Sequence, residues 1–176
     1  MKKASRKKVS KKKSNKRAKT AAKKKAQPIP AGYHTVTPYL VCRGAANAID
    51  FYKRAFGARE KMRMPGPDGR VAHAELQIGD SRLMLGEESP EMGAKSPEML
   101  GGSAASVFLY VKNVDAVANK AISAGATVVM PVEDMFWGDR YGKLKDPFGH
   151  EWSIATHKED LTPKQMAKRA QSAMPA

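Results

Sequence analysis

Ala48-Ile49-Asp50-Phe51-Tyr52-Lys53-Arg54-Ala55-Phe56-Gly57-Ala58 is the stretch from which the fold is read. Ala45, Ala48, Ile49, Tyr52 and Phe56 recur at the spacing that places side chains on one helical face. Gly57 is positioned to close that helix in a left-handed conformation. Upstream, Val36, Pro38, Leu40 and Cys42 alternate with Thr37, Tyr39 and Val41, the period of a strand. Downstream, strands are predicted over 59–64, 70–78 and 82–85. They are separated by Pro65-Gly66-Pro67-Asp68-Gly69 and by Gly79-Asp80.

The same order then recurs. Val107, Leu109 and Val111 alternate with Ser106, Phe108 and Tyr110. A helix carrying Val114, Val117, Ala118 and Ala121 on one face follows, with Asn113 as N-cap and Gly125 as C-cap. Further strands are predicted over 127–132, 141–145 and 151–156. Phe56-Gly57-Ala58 before Met62 is echoed by Ala124-Gly125-Ala126 before Met130, so the chain holds an internal repeat of roughly 70 residues. Segment 87–103, rich in Gly, Pro, Ser and Met, joins the copies and is expected to act as a lid. Thr162-Pro163-Lys164-Gln165 is a capping box with Pro at the first helical position, opening a C-terminal helix.

Two strand–helix–three-strand units, the 48–58 helix and Asp146-Pro147-Phe148-Gly149-His150-Glu151-Trp152 together resemble the vicinal oxygen chelate superfamily. That superfamily holds glyoxalase I, bleomycin-resistance proteins and extradiol dioxygenases, and the likeness is to its PhnB-like branch, over about residues 33–157. It implies an α+β fold in which tandem βαβββ modules form a curved eight-strand mixed sheet with helices outside. The expected domain spans 28–157, with modules at about 33–86 and 105–157. A basic tail (1–27) precedes it and an extension with a short helix (158–176) follows.

The chain carries 32 Lys and Arg against 17 Asp and Glu, a net of +15. Fourteen of the bases lie within the first 25 residues, with no acid: Lys2, Lys3, Arg6, Lys7, Lys8, Lys11, Lys12, Lys13, Lys16, Arg17, Lys19, Lys23, Lys24 and Lys25. The remainder is near neutral. Such a tail cannot bury enough apolar surface to offset its ordering entropy, so disorder is expected there. Its lysines suit phosphate contacts with DNA or RNA; without aromatics among them, sequence preference should be poor. Alternatively the tail is a solubilising arm. No apolar run reaches the roughly 18 residues of a membrane span, and no apolar stretch follows the basic start as in a secretory signal. A single cysteine, Cys42, excludes an internal disulfide. A cytoplasmic or nucleoid-associated location is expected.

Strand parity selects the side chains available for chemistry. Over 70–78, Ala72, Ala74, Leu76 and Ile78 form an apolar face, and Val71, His73, Glu75 and Gln77 the opposite one. The same parity puts Thr37, Tyr39, Ser106, Phe108, Tyr110, Glu151 and Ser153 in the cleft, and His150, Trp152 and Ile154 under the helices. Trp137 and Tyr141, in the connection 135–142, suit the wall of a ligand pocket. Asp139 and Arg140 there also fit an ion pair. His34 and His157 fall outside the strands and are read as surface residues, and Cys42 as a buried thiol.

The resemblance implies metal ligands on the first and third strands of each module, here matched to Thr37, Glu75, Ser106 and Ser153. Only Glu75 is a good donor; His73 is a second. Glu75 and His73 are thus the candidate catalytic residues, and Glu75 the candidate ligand of a weak or absent metal site. Thr37, Tyr39, Gln77, Ser106, Phe108, Tyr110, Trp137, Tyr141 and Ser153 are the candidate ligand-binding residues. The reading is a small-molecule-binding protein with a degenerate metal site and a non-specific nucleic-acid-binding tail, dimeric, with no cofactor expected. The alternative is a metal-dependent lyase, isomerase or dioxygenase holding a divalent ion.

Overall fold

A computed structural model describes residues 26–173; the basic tail lies outside the described residues, save Ala26 and Gln27. The elements run β1 (Tyr39–Cys42), α1 (Ala45–Phe56), β2 (Arg59–Pro65), β3 (Val71–Ile78) and β4 (Ser81–Glu87). A connector with a 3-10 turn and the short α2 (Pro97–Leu100) leads to β5 (Ser106–Tyr110), α3 (Val114–Ala124), β6 (Thr127–Asp134), β7 (Asp139–Lys145), β8 (Glu151–His157) and α4 (Pro163–Ala173). The eight strands divide into two four-stranded mixed sheets, ordered β1-β4-β3-β2 and β5-β8-β7-β6. The first and last strand of each module pair in parallel and the remaining pairs are antiparallel. The fold is thus α+β with two βαβββ modules.

Both long helices occupy the expected residues. Gly57 takes φ 66° and its N–H donates to the Tyr52 carbonyl; Gly125 takes φ 117°. The first helix has no cap of its own, since Gly44 precedes it. Glu87 at the end of β4 reaches across instead, accepting from the N–H of Gly44 at 2.7 Å and of Ala45 at 2.8 Å. In the second module Thr156 of β8 accepts from the Val114 N–H at 2.9 Å, beside the Asn113 cap on Ala116. The parallel pairing sets this device, because it brings the end of the last strand to the start of the helix.

One core serves both modules. Ile49, Phe51 and Tyr52 of α1 pack with Leu76, Leu85, Leu144, Trp152 and Ile154, all essentially inaccessible. Full burial of each such side chain is worth about 1.5–3 kcal/mol. Asp146 fastens the junction. Its carboxylate accepts from Tyr52 Oη (2.8 Å), Trp152 Nε1 (2.9 Å), and the backbone N–H of Phe148 and of His150 (2.9 Å each). His150 Nε2 donates to the Val41 carbonyl at 3.0 Å, and burial lowers its pKa. Cys42 is fully buried beside it, its thiol pushed up to about 12 by burial. The Asp-Pro-Phe-Gly-His-Glu-Trp stretch is therefore the seam between the repeats.

Three local expectations are corrected. The first strand begins at Tyr39 rather than Val36, because Pro38 has no N–H to add to a ladder, and Val36 is 82% exposed. Val71 is buried although parity put it with His73, since the β2–β3 register shifts between Met64 and Pro65. Segment 87–103, expected as a lid, is instead pinned to the body: Glu88 and Glu98 hold Arg43 (2.6 and 2.8 Å), Ser96 Oγ donates to Glu88, and Pro97 packs against Gly149.

Candidate functional site

Each sheet has one face packed under its helix and one left open. Tyr39, Glu75 and His73 lie on the first open face and Phe108, Tyr110 and Tyr141 on the second, whereas Thr37 and Trp137 lie outside the strands and Ser153 is buried. In the N-terminal module, cross-strand register aligns Tyr39, Met84, Glu75 and Met62 in one row. Glu75 therefore sits between two methionines. His73 Nε2 approaches Glu75 Oε1 to 3.7 Å, and its ring stacks on Tyr39 with centroids 5.7 Å apart. Tyr39 lies across Gly86, where a Cβ would come within 2.6 Å of its hydroxyl; only glycine permits this approach. Gln77 donates to the Gly79 carbonyl at 3.2 Å and closes the β3–β4 turn, a local structural duty.

The open face of the C-terminal module is aromatic. Phe108 lies 4.9 Å from Tyr110 and 5.8 Å from Tyr141, and Trp137 meets Tyr141 edge-on at 5.7 Å. Phe108 and Tyr110 remain 48% and 65% exposed, so this surface is available for contact. Asp139 organises it from below. Its buried carboxylate accepts from Tyr110 Oη (3.1 Å), Trp137 Nε1 (3.2 Å) and His157 Nδ1 (2.7 Å). The hydrogen bond to Asp139, and then one to Asp160, raise the His157 pKa. Asp139 likewise raises the Tyr110 phenol.

Asp139 and His157 were missed as a unit. The strand β7 starts at Asp139, two residues before the predicted edge, so the long connection shrinks to Met135–Gly138. His157 closes β8 opposite Asp139 in the ladder. Adjacent sheet partners 18 residues apart leave no sequence signal unless the β7–β8 hairpin is aligned through its turn at Asp146. Arg140 does not pair with Asp139; it binds Asp115 (2.7 Å) and Asp134 (3.3 Å).

The matched metal set fails on register and on chemistry. Thr37 precedes β1, and Glu75 lies on the third strand of its module whereas Ser153 lies on the fourth. The row equivalent to Tyr39–Met84–Glu75–Met62 is Phe108–Ser153–Lys143–Met130, so the repeat partner of Glu75 is Lys143 and that of Ser153 is Met84. Ser153 is buried and already bonded to Tyr141 Oη (3.0 Å) and Ser106 Oγ (3.3 Å). Glu75 and His73 alone do not supply the three or four strong donors that a divalent ion needs, and among the described residues no group of three or more His, Cys, Asp or Glu comes together to hold one. Among the described residues, no helix is long and apolar enough to cross a membrane.

Tandem βαβββ modules, each a four-stranded mixed sheet with a helix on one face, define a glyoxalase-like fold. The profile of the Glyoxalase/Bleomycin resistance protein/Dioxygenase superfamily matches residues 33–154, and the chain belongs to that superfamily. It is 51% identical over 122 residues to the Mycobacterium tuberculosis protein Rv0887c, covering 68% of this chain and 72% of that one. TioX from Micromonospora sp. ML1 superposes with a TM-score of 0.57 at 28% identity, covering 69% of this chain and 97% of TioX. A PhnB protein from Bacillus cereus shares the fold alone, with a TM-score of 0.55 at 18% identity over 70% of this chain and 99% of its own.

Proposed function

We propose that this chain is a binding protein of the bleomycin-resistance kind, of the PhnB-like branch, that captures planar aromatic small molecules without metal chemistry. The observation that carries it is the Asp139-centred aromatic face. Phe108 and Tyr110 offer exposed rings beside the part-buried Trp137 and Tyr141, while the polar tips of Tyr110, Trp137 and Tyr141 are tied down beneath. A planar ligand stacks on such a surface with little ordering cost, because the side chains are already fixed. Glu75 and His73 supply the hydrogen-bonding or cation-attracting group, and Tyr39 and Ser106 line the same open faces.

The site is completed in a homodimer. Each open face leaves large apolar side chains exposed, and the acidic Glu75 row of one copy complements the Lys143 row of another. The fourteen bases of the tail add non-specific DNA or RNA binding, consistent with a cytoplasmic, nucleoid-associated protein.

A thermal-shift screen of planar aromatic compounds, followed by Trp137 fluorescence, tests the reading. Hits should stabilise the wild type and be lost in Phe108→Ala and Tyr141→Ala; hits indifferent to both would overturn it. Metal analysis runs alongside. Stoichiometric divalent metal that survives chelator dialysis and disappears in Glu75→Gln would restore the enzymatic alternative. For the tail, log K against log[salt] should slope about −6 if half its charges engage phosphates. Deleting residues 1–26 should abolish that binding.

A further inference from the structure

A groove that shares Phe108 and Tyr110 with the aromatic face lies between the inner edges of the two sheets. This groove of about 750 Å³ runs between the segment before β1, the β3–β4 turn and strand β5. Its floor is apolar, with Phe56, Leu83, Val107 and Leu109. Its rim carries two cations, Arg82 and Lys112, against one acid, Asp80, which already accepts from Ser81 Oγ at 2.8 Å.

Arg82 is the unusual member. Its guanidinium sits 5.3 Å from the Tyr33 ring centroid and close under Gly32, so the loop before β1 fixes its position. Yet Arg82 Nε and Nη1 are buried with no hydrogen-bond partner, and so is the neighbouring Tyr33 hydroxyl. Among the described residues no carboxylate comes within 4 Å of Arg82. Buried donors left unpaired cost roughly 1–3 kcal/mol each, more when charged, and native structures rarely keep several together without an occupant. A fixed guanidinium with free donors beside an apolar trough suits one ligand chemistry: a carboxylate head on a hydrocarbon body.

We propose that the groove binds an amphipathic monocarboxylate, its head on Arg82 and its body over Leu83, Val107 and Leu109. This goes beyond the aromatic-face reading, with which it shares Phe108 and Tyr110, and its test turns on Arg82, which that reading does not use. Decanoate, below its micelle concentration and at physiological salt, is the probe, with 1-decanol as the neutral control of equal length. On the full chain, decanoate should shift the methyl resonances of Leu83, Val107 and Leu109. Arg82→Met should weaken it at least tenfold by calorimetry while leaving decanol unchanged. Methyl shifts that map elsewhere, or equal affinity for decanoate and decanol in the wild type, would overturn the proposal without any variant needing to fold. Undiminished decanoate binding in a folded Arg82→Met protein would overturn it as well. The tail lysines are common to wild type and variant, so they cancel from that comparison.

Discussion

Two aspartates bracket strand β7, Asp139 at its start and Asp146 just past its end, and both are 4% exposed. Each gathers a tyrosine and a tryptophan: Tyr110 and Trp137 for Asp139, Tyr52 and Trp152 for Asp146. Their surroundings differ. Around Asp146 the aromatic rings are buried, one comes from the other module, and the remaining partners are backbone N–H groups. Around Asp139 the Tyr110 ring faces solvent, the Trp137 ring is part-buried, and the last partner is the half-exposed His157. The same residue type at the same burial is thus a clamp in one place and the anchor of the proposed binding surface in the other. What separates them is the exposure of the groups they hold.

The largest effect should come from Asp146→Ala. It strands the Tyr52 hydroxyl and the Trp152 indole N–H in the core and should cost about 3 kcal/mol or more in urea denaturation. A loss under about 1 kcal/mol would mean that the seam is held by apolar packing alone. Asp139→Asn should cost about 1–2 kcal/mol, yet abolish the aromatic-ligand hits that Asp146→Asn, where folded, retains. If Asp139→Asn binds normally, the contrast between the two carboxylates fails.

The histidines beside the two aspartates sharpen the contrast by opposing pH signs. His157 has a raised folded pKa, so its contribution is full below its unfolded value near 6.5 and fades as pH rises through the folded value. His150 has a lowered folded pKa, so it contributes above about 6.5 and that contribution is lost as pH falls toward the folded value. Stability curves from pH 5 to 9 should show His157→Gln most damaging at the acid end. His150→Gln should flatten the acid-side loss. Matching pH profiles for the two variants would remove the distinction.

The smallest expected effects concern the repeat itself. Glu87→Gln and Thr156→Val each remove a long-range helix cap and should cost about 1 kcal/mol, read as a shift in denaturation midpoint at constant slope. A twofold disparity would show that the modules do not share this device equally.

Local patterns carried far. Helical spacing with Gly57 and Gly125, the Asn113 cap, the Thr162–Gln165 box and the alternation in 70–78 each specify structure through contacts within a few residues, and the repeat followed from them. Parity placed Glu75 and Phe108 away from the helix-packed core, whereas Ser153, read as a cleft residue, is buried. The division of eight strands into two sheets was not available from those patterns. Nor was the register that makes Lys143 rather than Ser153 the repeat equivalent of Glu75, or the meeting of Tyr52 with Asp146. These depend on which strand edges and side chains come together across 60 or more residues, and alternation has the same period whichever partner is chosen. Sequence alone determined the modules and their faces. Tertiary packing decided which aspartate became the clamp and which the floor of a site, because burial of the partner rings is settled only when the two modules close on one core.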